Sequence, residues 1–274
     1  MNTKQRAFLK WAGGKYRLIE DIARHLPNKS CLVEPFVGAG SVFLNTEFER
    51  YVLADINPDL INLFNIIKQD VESYLSDAKS LFENSQANTP LFYYQCRQEF
   101  NSSNDVFRRS VLFLYLNRFG FNGLCRYNQK HEFNVPFGSY AQHYFPEKEL
   151  RYFAEKAQHA IFICAGFEQT FEYLLENMED CVVYCDPPYA PLEQESNFTQ
   201  YAGGGFSLEN QKLLAYYAEK AKDKNIPVLI SNHDTAFTRE IYKNAELTTF
   251  KVQRHIGQKS HSRIKVDELF ALFS

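Results

Sequence analysis

The chain has 274 residues, 45% of them hydrophobic and 23% charged, which fits a folded globular protein rather than a disordered or membrane-embedded one. No apolar run approaches the roughly 20 residues that span a bilayer, and residues 1–11 lack the apolar core and small-residue cleavage site of a signal peptide, so a cytoplasmic protein is expected. The net charge of −3 does not advertise a nucleic-acid binder; the six cysteines contain no CxxC pair, Cys181 and Cys185 in their apolar run read as buried free thiols, and no metal site is expected.

Met1 to Trp11 leads into Gly13-Gly14-Lys15, which alone is an ordinary turn beside a core aromatic. Cys31-Leu32-Val33 reads as a buried strand, and Glu34-Pro35-Phe36-Val37-Gly38-Ala39-Gly40-Ser41 follows it. Its glycines allow close backbone approach to a ligand, but it lacks both the Lys-Ser/Thr ending of a P-loop and a full GxGxxG. Tyr51-Val52-Leu53-Ala54 is a second strand, ending at Asp55. An acid there accepts hydrogen bonds from ribose hydroxyls in nucleoside-binding α/β folds; alternatively it caps a helix starting near Pro58.

From Asn57 to about Phe121 the pattern is helical, with Leu60, Leu63, Phe64 and Ile67, and again Val111, Leu112, Tyr115 and Leu116, at helix spacing. Residues 119–140 are polar, aromatic and Gly-rich, with Phe133-Asn134-Val135 as a short hairpin arm. Ile161-Phe162-Ile163-Cys164, Cys181 to Cys185 and Pro227-Val228-Leu229-Ile230 are further strands, and residues 266–270 supply a last one. Strands alternating with helices give an α/β fold, split by a mainly helical insertion at 57–144 between residues 1–56 and 145–274.

Two basic stretches break the acidic background. Arg108, Arg109, Arg118, Arg126 and Lys130 form one; Lys251, Arg254, Lys259, Arg263 and Lys265, with His255 and His261, form the other. Each alone is commonly a solvated surface; together they suggest a face built for phosphates.

Asp186-Pro187-Pro188-Tyr189 directly follows the strand ending at Cys185. The amino nitrogen of adenine is a poor nucleophile because its lone pair is delocalised into the ring. It needs acceptors that draw its hydrogens out of plane and no donor competing for the lone pair. An ionised Asp186 is acceptor-only, and Pro187 offers a carbonyl without an N–H. The two prolines fix φ near −65°, so the acceptors are held before substrate arrives. Tyr189 offers a ring for stacking, worth about 1–3 kcal/mol per base. The competing reading is a rigid strand-ending turn with an exposed Asp.

Phe8 to Lys15, Glu34 to Ser41, Asp55-Ile56-Asn57, Asp186 to Tyr189, Val228 to Asp234 and Lys265 to Leu269 occur in the order of the Dam family, and the resemblance spans essentially the whole chain. It implies an alpha-class DNA adenine-N6 methyltransferase with a Rossmann-like S-adenosylmethionine-dependent core, the inserted domain recognising the target. Implied cofactor contacts are Trp11, Lys15, Glu34, Phe36, Gly38, Gly40, Asp55 and Asp186; implied catalytic residues are Asp186, Pro187 and Tyr189.

The resemblance further implies a monomer acting on double-stranded GATC by flipping the adenine and transferring the methyl directly, without metal. Arg126 and Lys10 would read guanines, Leu124 and Pro136 would touch thymine, and Phe121 and Tyr140 would fill the gap at the flipped base. Arg118 and Asn122 join this DNA-binding set, and Lys251 and Arg254 would follow the phosphates, with 259–262 ordering on DNA. Phe121 stands where many relatives carry Tyr, and Ser139 where some carry a basic residue. An N4-cytosine enzyme would show Ser at 186, and a protein-glutamine methyltransferase Asn. Roles in replication timing and mismatch-repair strand choice follow from solitary members of the family.

Overall fold

The computed structural model describes residues 4–192, 206–255 and 263–274. In chain order the elements are α1 (Ile19–His25), β1 (Cys31–Glu34), β2 (Arg50–Asp55), α2 (Pro58–Gln69), α3 (Val71–Glu83), α4 (Pro90–Ser102) and α5 (Val106–Phe119). They continue with α6 (Glu147–Lys156), β3 (Ala160–Cys164), α7 (Phe167–Asn177), β4 (Cys181–Cys185) and α8 (Leu208–Asp223). β5 (Val228–His233), α9 (Ala236–Ile241), β6 (Glu246–His255) and β7 (Arg263–Phe273) complete the described chain. The fold is mixed α/β, as the alternation of apolar runs and helical periods predicts.

Two compact units divide the chain: one takes residues 1–22, 37–47 and 55–164, the other 23–36, 48–54 and 165–274. In the second unit lie six of the seven strands of the sheet, in the order β2-β1-β4-β5-β7-β6. β1 pairs in parallel with both β2 and β4, and β4 in parallel with β5. β4 is buried from end to end, which is why Cys-Val-Val-Tyr-Cys runs apolar without alternation. The register Val33↔Val183 brings the carboxyl ends of β1 and β4 side by side. The chain passes from β1 to β2 on one flank while β4 lies on the other, so these two ends frame a topological switch point, where open α/β sheets bind ligands.

β7 runs antiparallel between β5 and β6. Here the structure extends the sequence reading. β7 covers Arg263–Phe273 rather than 266–270, and β6 went unrecognised because Lys251, Gln253 and Arg254 interrupt its apolar pattern. Its strand character comes from ten paired positions along β7, a tertiary cause that local composition does not carry.

The other unit is mainly helical. α2 buries Leu60, Leu63, Phe64 and Ile67, the stripe its spacing predicts. Phe64 joins Phe8, Phe43, Phe153 and Phe162 in an aromatic cluster with ring centroids 4.7 to 6.2 Å apart. α5 is buried continuously from Ser110 to Asn117, the mark of a central helix rather than an amphipathic one. Arg109 on α5 donates to the buried Asp59 carboxylate at 2.7 and 3.1 Å; removing either partner would leave an uncompensated charge, at about 3–5 kcal/mol. The expected hairpin arm at 133–135 is short: Phe133 bridges Tyr127 in antiparallel fashion and the Asn134 N–H donates to the Arg126 carbonyl at 3.1 Å, while a second isolated bridge joins Gly120 to Phe137.

Candidate functional site

Within the helical unit, the loop after β1 is shaped by main-chain geometry. Gly38 and Gly40 have φ of +49° and +73°, a left-handed region that side chains disfavour. At Gly38 space is also lacking, since a Cβ there would stand 2.8 Å from the Trp11 indole nitrogen. Trp11 therefore lies directly against the loop, while the buried Lys15 donates from Nζ to the Gly13 carbonyl at 2.8 Å. The Gly13–Lys15 turn is thus tied down by its own lysine.

Asp55 accepts from the Gly38 N–H at 3.1 Å and from the Asn57 N–H at 2.9 Å. Burial pushes its carboxyl above the ordinary aspartate range, partly countered by these backbone donors. Asp55 is not the cap of the following helix. That role falls to Asn57, whose side-chain oxygen accepts from the Asp59 and Leu60 N–H groups, with Pro58 in the first turn. Asp55 keeps further acceptor capacity, since a carboxylate has about four lone-pair sites, and Ile56 beside it is 78% exposed.

The same helix start reaches the loop after α5. Asn57 Nδ2 donates to Cys125 Sγ at 3.4 Å, and the Tyr127 hydroxyl donates to Asp59 at 2.7 Å. Arg126 is held between these two anchors, with its guanidinium Nε donating to Asn134 Oδ1 at 2.8 Å. Burial pushes the Cys125 thiol up to about 12, so it packs as an inert group.

Asn117 makes the second junction. It accepts from the Lys10 N–H and donates to the Lys10 carbonyl, both at 2.8 Å, and donates to the Gly123 carbonyl at 3.1 Å. Gly123, at φ +61°, packs so closely on Lys10 that a Cβ would stand 2.2 Å from the lysine Cβ. Lys10 Nζ lies 4.5 Å from the Tyr140 ring centre and donates to the Arg118 carbonyl. Burial, then the Arg118 charge, lowers the Lys10 pKa. The Tyr140 hydroxyl accepts from the Asn122 N–H, and Phe121, paired through its N–H to the Pro136 carbonyl, is 41% exposed.

Lys10, Phe121, Asn122, Leu124, Arg126, Pro136 and Tyr140 thus share one loop cluster. The Arg118 guanidinium turns to the Tyr144 carbonyl at 2.9 and 3.2 Å. Asn57 and Asn117 went unassigned in the sequence; a lone amide inside the apolar run of α5 was the available signal for the second.

In the sheet unit, Glu34 is buried at the end of β1, and the Phe36 ring stacks on Phe167 with centroids 5.7 Å apart. Asp186 begins the turn after β4, with Pro187 buried and Pro188 exposed. Tyr189 donates from its hydroxyl to Glu268 at 3.3 Å, and its ring meets His233 edge-on at 4.9 Å. Lys251 lies exposed on β6. Arg254 is on the same strand with its side chain outside the described residues, where Lys259, Ser260, His261 and Ser262 also fall. Among the described residues no group of His, Cys, Asp or Glu is arranged to hold a metal, and no helix is long and apolar enough to cross a membrane.

A family model described as D12 class N6 adenine-specific DNA methyltransferase matches residues 11–256. The chain is 61% identical over 272 residues to a DNA adenine methylase of Haemophilus influenzae, covering 98% of this chain and 94% of that protein. It is 60% identical to a DNA adenine methylase of Vibrio cholerae, with 99% and 97% covered, and 58% identical to one of Escherichia coli K12, with 98% and 96% covered.

Proposed function

The chain belongs to the D12 class N6 adenine-specific DNA methyltransferases, and from that membership we propose that it methylates the N6 amino group of adenine in double-stranded GATC, using S-adenosylmethionine and flipping the base. The observation that carries this reading is the Asp186-Pro187-Pro188-Tyr189 turn at the carboxyl end of β4, beside the end of β1 at the switch point of the sheet. It acts as a monomer in the cytoplasm, and residues 57–144 read DNA between the two catalytic parts of the sequence.

S-adenosylmethionine would supply a methyl group carried on a sulfonium sulfur. The residues present fit such a group. Gly38 lets Trp11 close on the loop, and Asp55 is oriented by backbone donors with acceptor capacity for ribose hydroxyls. Ile56 adds exposed apolar surface for a nucleoside ring. Trp11, Lys15, Glu34, Phe36 and Gly40 complete the holding set.

At the reacting end, Asp186 and the Pro187 carbonyl accept the two amino hydrogens and leave the nitrogen lone pair without a competing donor. Asp186 would take the proton the nitrogen sheds. Tyr189 supports the flipped base by stacking. Flipping takes a few kcal/mol, offset by that stacking and by phosphate contacts from Lys251 and Arg254. In the reading cluster Arg126 and Lys10 contact guanines, Leu124 and Pro136 the thymine methyl, and Phe121 and Tyr140 the vacated space; Arg118 and Asn122 fix the loop.

The test is methyl transfer to duplexes carrying GATC or one-base variants of it. Transfer confined to GATC supports the proposal. Equal transfer to all duplexes would keep the chemistry and overturn the reading residues.

A further inference from the structure

On the reading just given, Tyr189 must present its ring to a base in one orientation. We propose that Gln211 on α8 and Asn232 on β5 are positioning residues that fix Tyr189, and with it the catalytic turn. Neither touches the reacting atoms. The geometry shows a closed bridge around Tyr189: Gln211 Nε2 donates to the Pro188 carbonyl at 2.7 Å, and Asn232 Oδ1 accepts from the Ala190 N–H at 3.0 Å. Asn232 Nδ2 donates to Gln211 Oε1 at 2.9 Å and joins the two amides. The carbonyl before Tyr189 and the N–H after it are therefore tied to one another through two side chains.

The bridge has a fixed polarity. Asn232 Nδ2 also donates to the Tyr242 hydroxyl at 3.0 Å, and its Oδ1 also accepts from the His233 N–H at 2.9 Å. All four hydrogen-bonding positions of this amide are thereby used, so it cannot be turned over without losing them all. Gln211 is 2% exposed and Asn232 fully buried. The His233 ring closes the other side, with Nδ1 2.6 Å from the Ala190 carbonyl oxygen. Buried amides carry a desolvation penalty unless fully paired, and apolar side chains of similar shape would fill the same space. What apolar groups could not do is grip the two peptide groups that flank Tyr189.

Gln211→Glu separates positioning from packing. The titratable groups near the site are the Tyr242 hydroxyl, 3.5 Å from Gln211 Oε1, Cys185 close to Tyr242, Asp186 in the turn itself, and His233 and Glu268, which touch the Tyr189 side chain. An ionised Glu would oppose the Pro188 carbonyl, whereas a protonated one would donate to it and still accept from Asn232. In steady-state methylation at alkaline pH, kcat should fall about 10- to 100-fold with KM for duplex and cofactor unchanged. At mildly acidic pH the ratio to wild type should recover, while Gln211→Leu stays low throughout.

Full activity of Gln211→Glu at alkaline pH, a loss carried by KM, or a loss without recovery on acidification would each overturn the proposal. Absence of transfer by the unaltered chain would instead overturn the functional reading on which it rests.

Discussion

The turn after β1 and the turn after β4 both leave buried parallel strands, but different groups hold them. From Val37 to Gly40 the shape lies in the backbone, with left-handed glycines, a Trp11 ring against Gly38, and a single carboxylate gathering the Gly38 N–H. From Asp186 to Ala190 the chain has prolines instead of glycines, and side chains from α8 and β5 hold it. A loop that wraps a ligand needs its own main chain close to that ligand, so it uses residues without Cβ. A turn that must present acceptors in one direction needs rigidity, which prolines begin and buried amides complete.

Asp186→Ala should have the largest effect, removing a charged acceptor at the reacting nitrogen. Single-turnover transfer should fall about 10²- to 10³-fold or more, with duplex affinity in a gel-shift titration nearly unchanged. Loss of duplex binding in step with activity would break the comparison, making the turn a binding loop like the other one.

Arg126→Ala should lose about 1–3 kcal/mol of discrimination at one base pair, read as kcat/KM on one-base variants of the site. Uniform weakening on every duplex would instead make Arg126 a phosphate contact.

Gly38→Ala sharpens the contrast from the backbone side. A side chain at φ +49° and 2.8 Å from Trp11 should cost about 1–2 kcal/mol of stability and weaken S-adenosylhomocysteine binding in calorimetry. Unchanged affinity would show that ligand binding does not depend on the close seating of Trp11 against Gly38.

The smallest effect concerns pH. Burial raises the Asp55 carboxyl, so it takes up a proton at higher pH than an unperturbed aspartate near about 3.9. Protonation removes an acceptor, so affinity for S-adenosylhomocysteine should fall as pH drops through that raised value, and Asp55→Asn should flatten the dependence. For folding the sign reverses: stability from the protonated, desolvated carboxyl is present at low pH and is lost as pH rises through the raised value.

The difference between the two turns also explains what was legible in the sequence. Glycines, prolines and acids at strand ends announce themselves locally, so Gly38, Asp55 and Asp186 could be named from their neighbours. The side chains that hold them could not. Gln211 is one polar residue near a helix start, and its role depends on β5 lying beside β4. Asn57 resolves an ambiguity of the same kind, since only the structure shows that it, not Asp55, caps α2. β1, β2, β4 and the first half of β5 were readable because burial on both faces makes their centres apolar runs, whereas the Ser231-Asn232-His233 end of β5 is polar and β6 alternates with charge and depends on β7. In the loop cluster after α5, Arg126 and Phe121 were named through the family resemblance, but their anchors, Asn134 and Pro136, come from residues eight or more positions away.

The most direct test of the central claim is mass analysis of the nucleosides from a GATC duplex after incubation with the protein and S-adenosylmethionine. N6-methyladenine at the GATC adenine is the predicted product. A methylated cytosine, or unmodified DNA from a protein shown to bind S-adenosylhomocysteine, would contradict it.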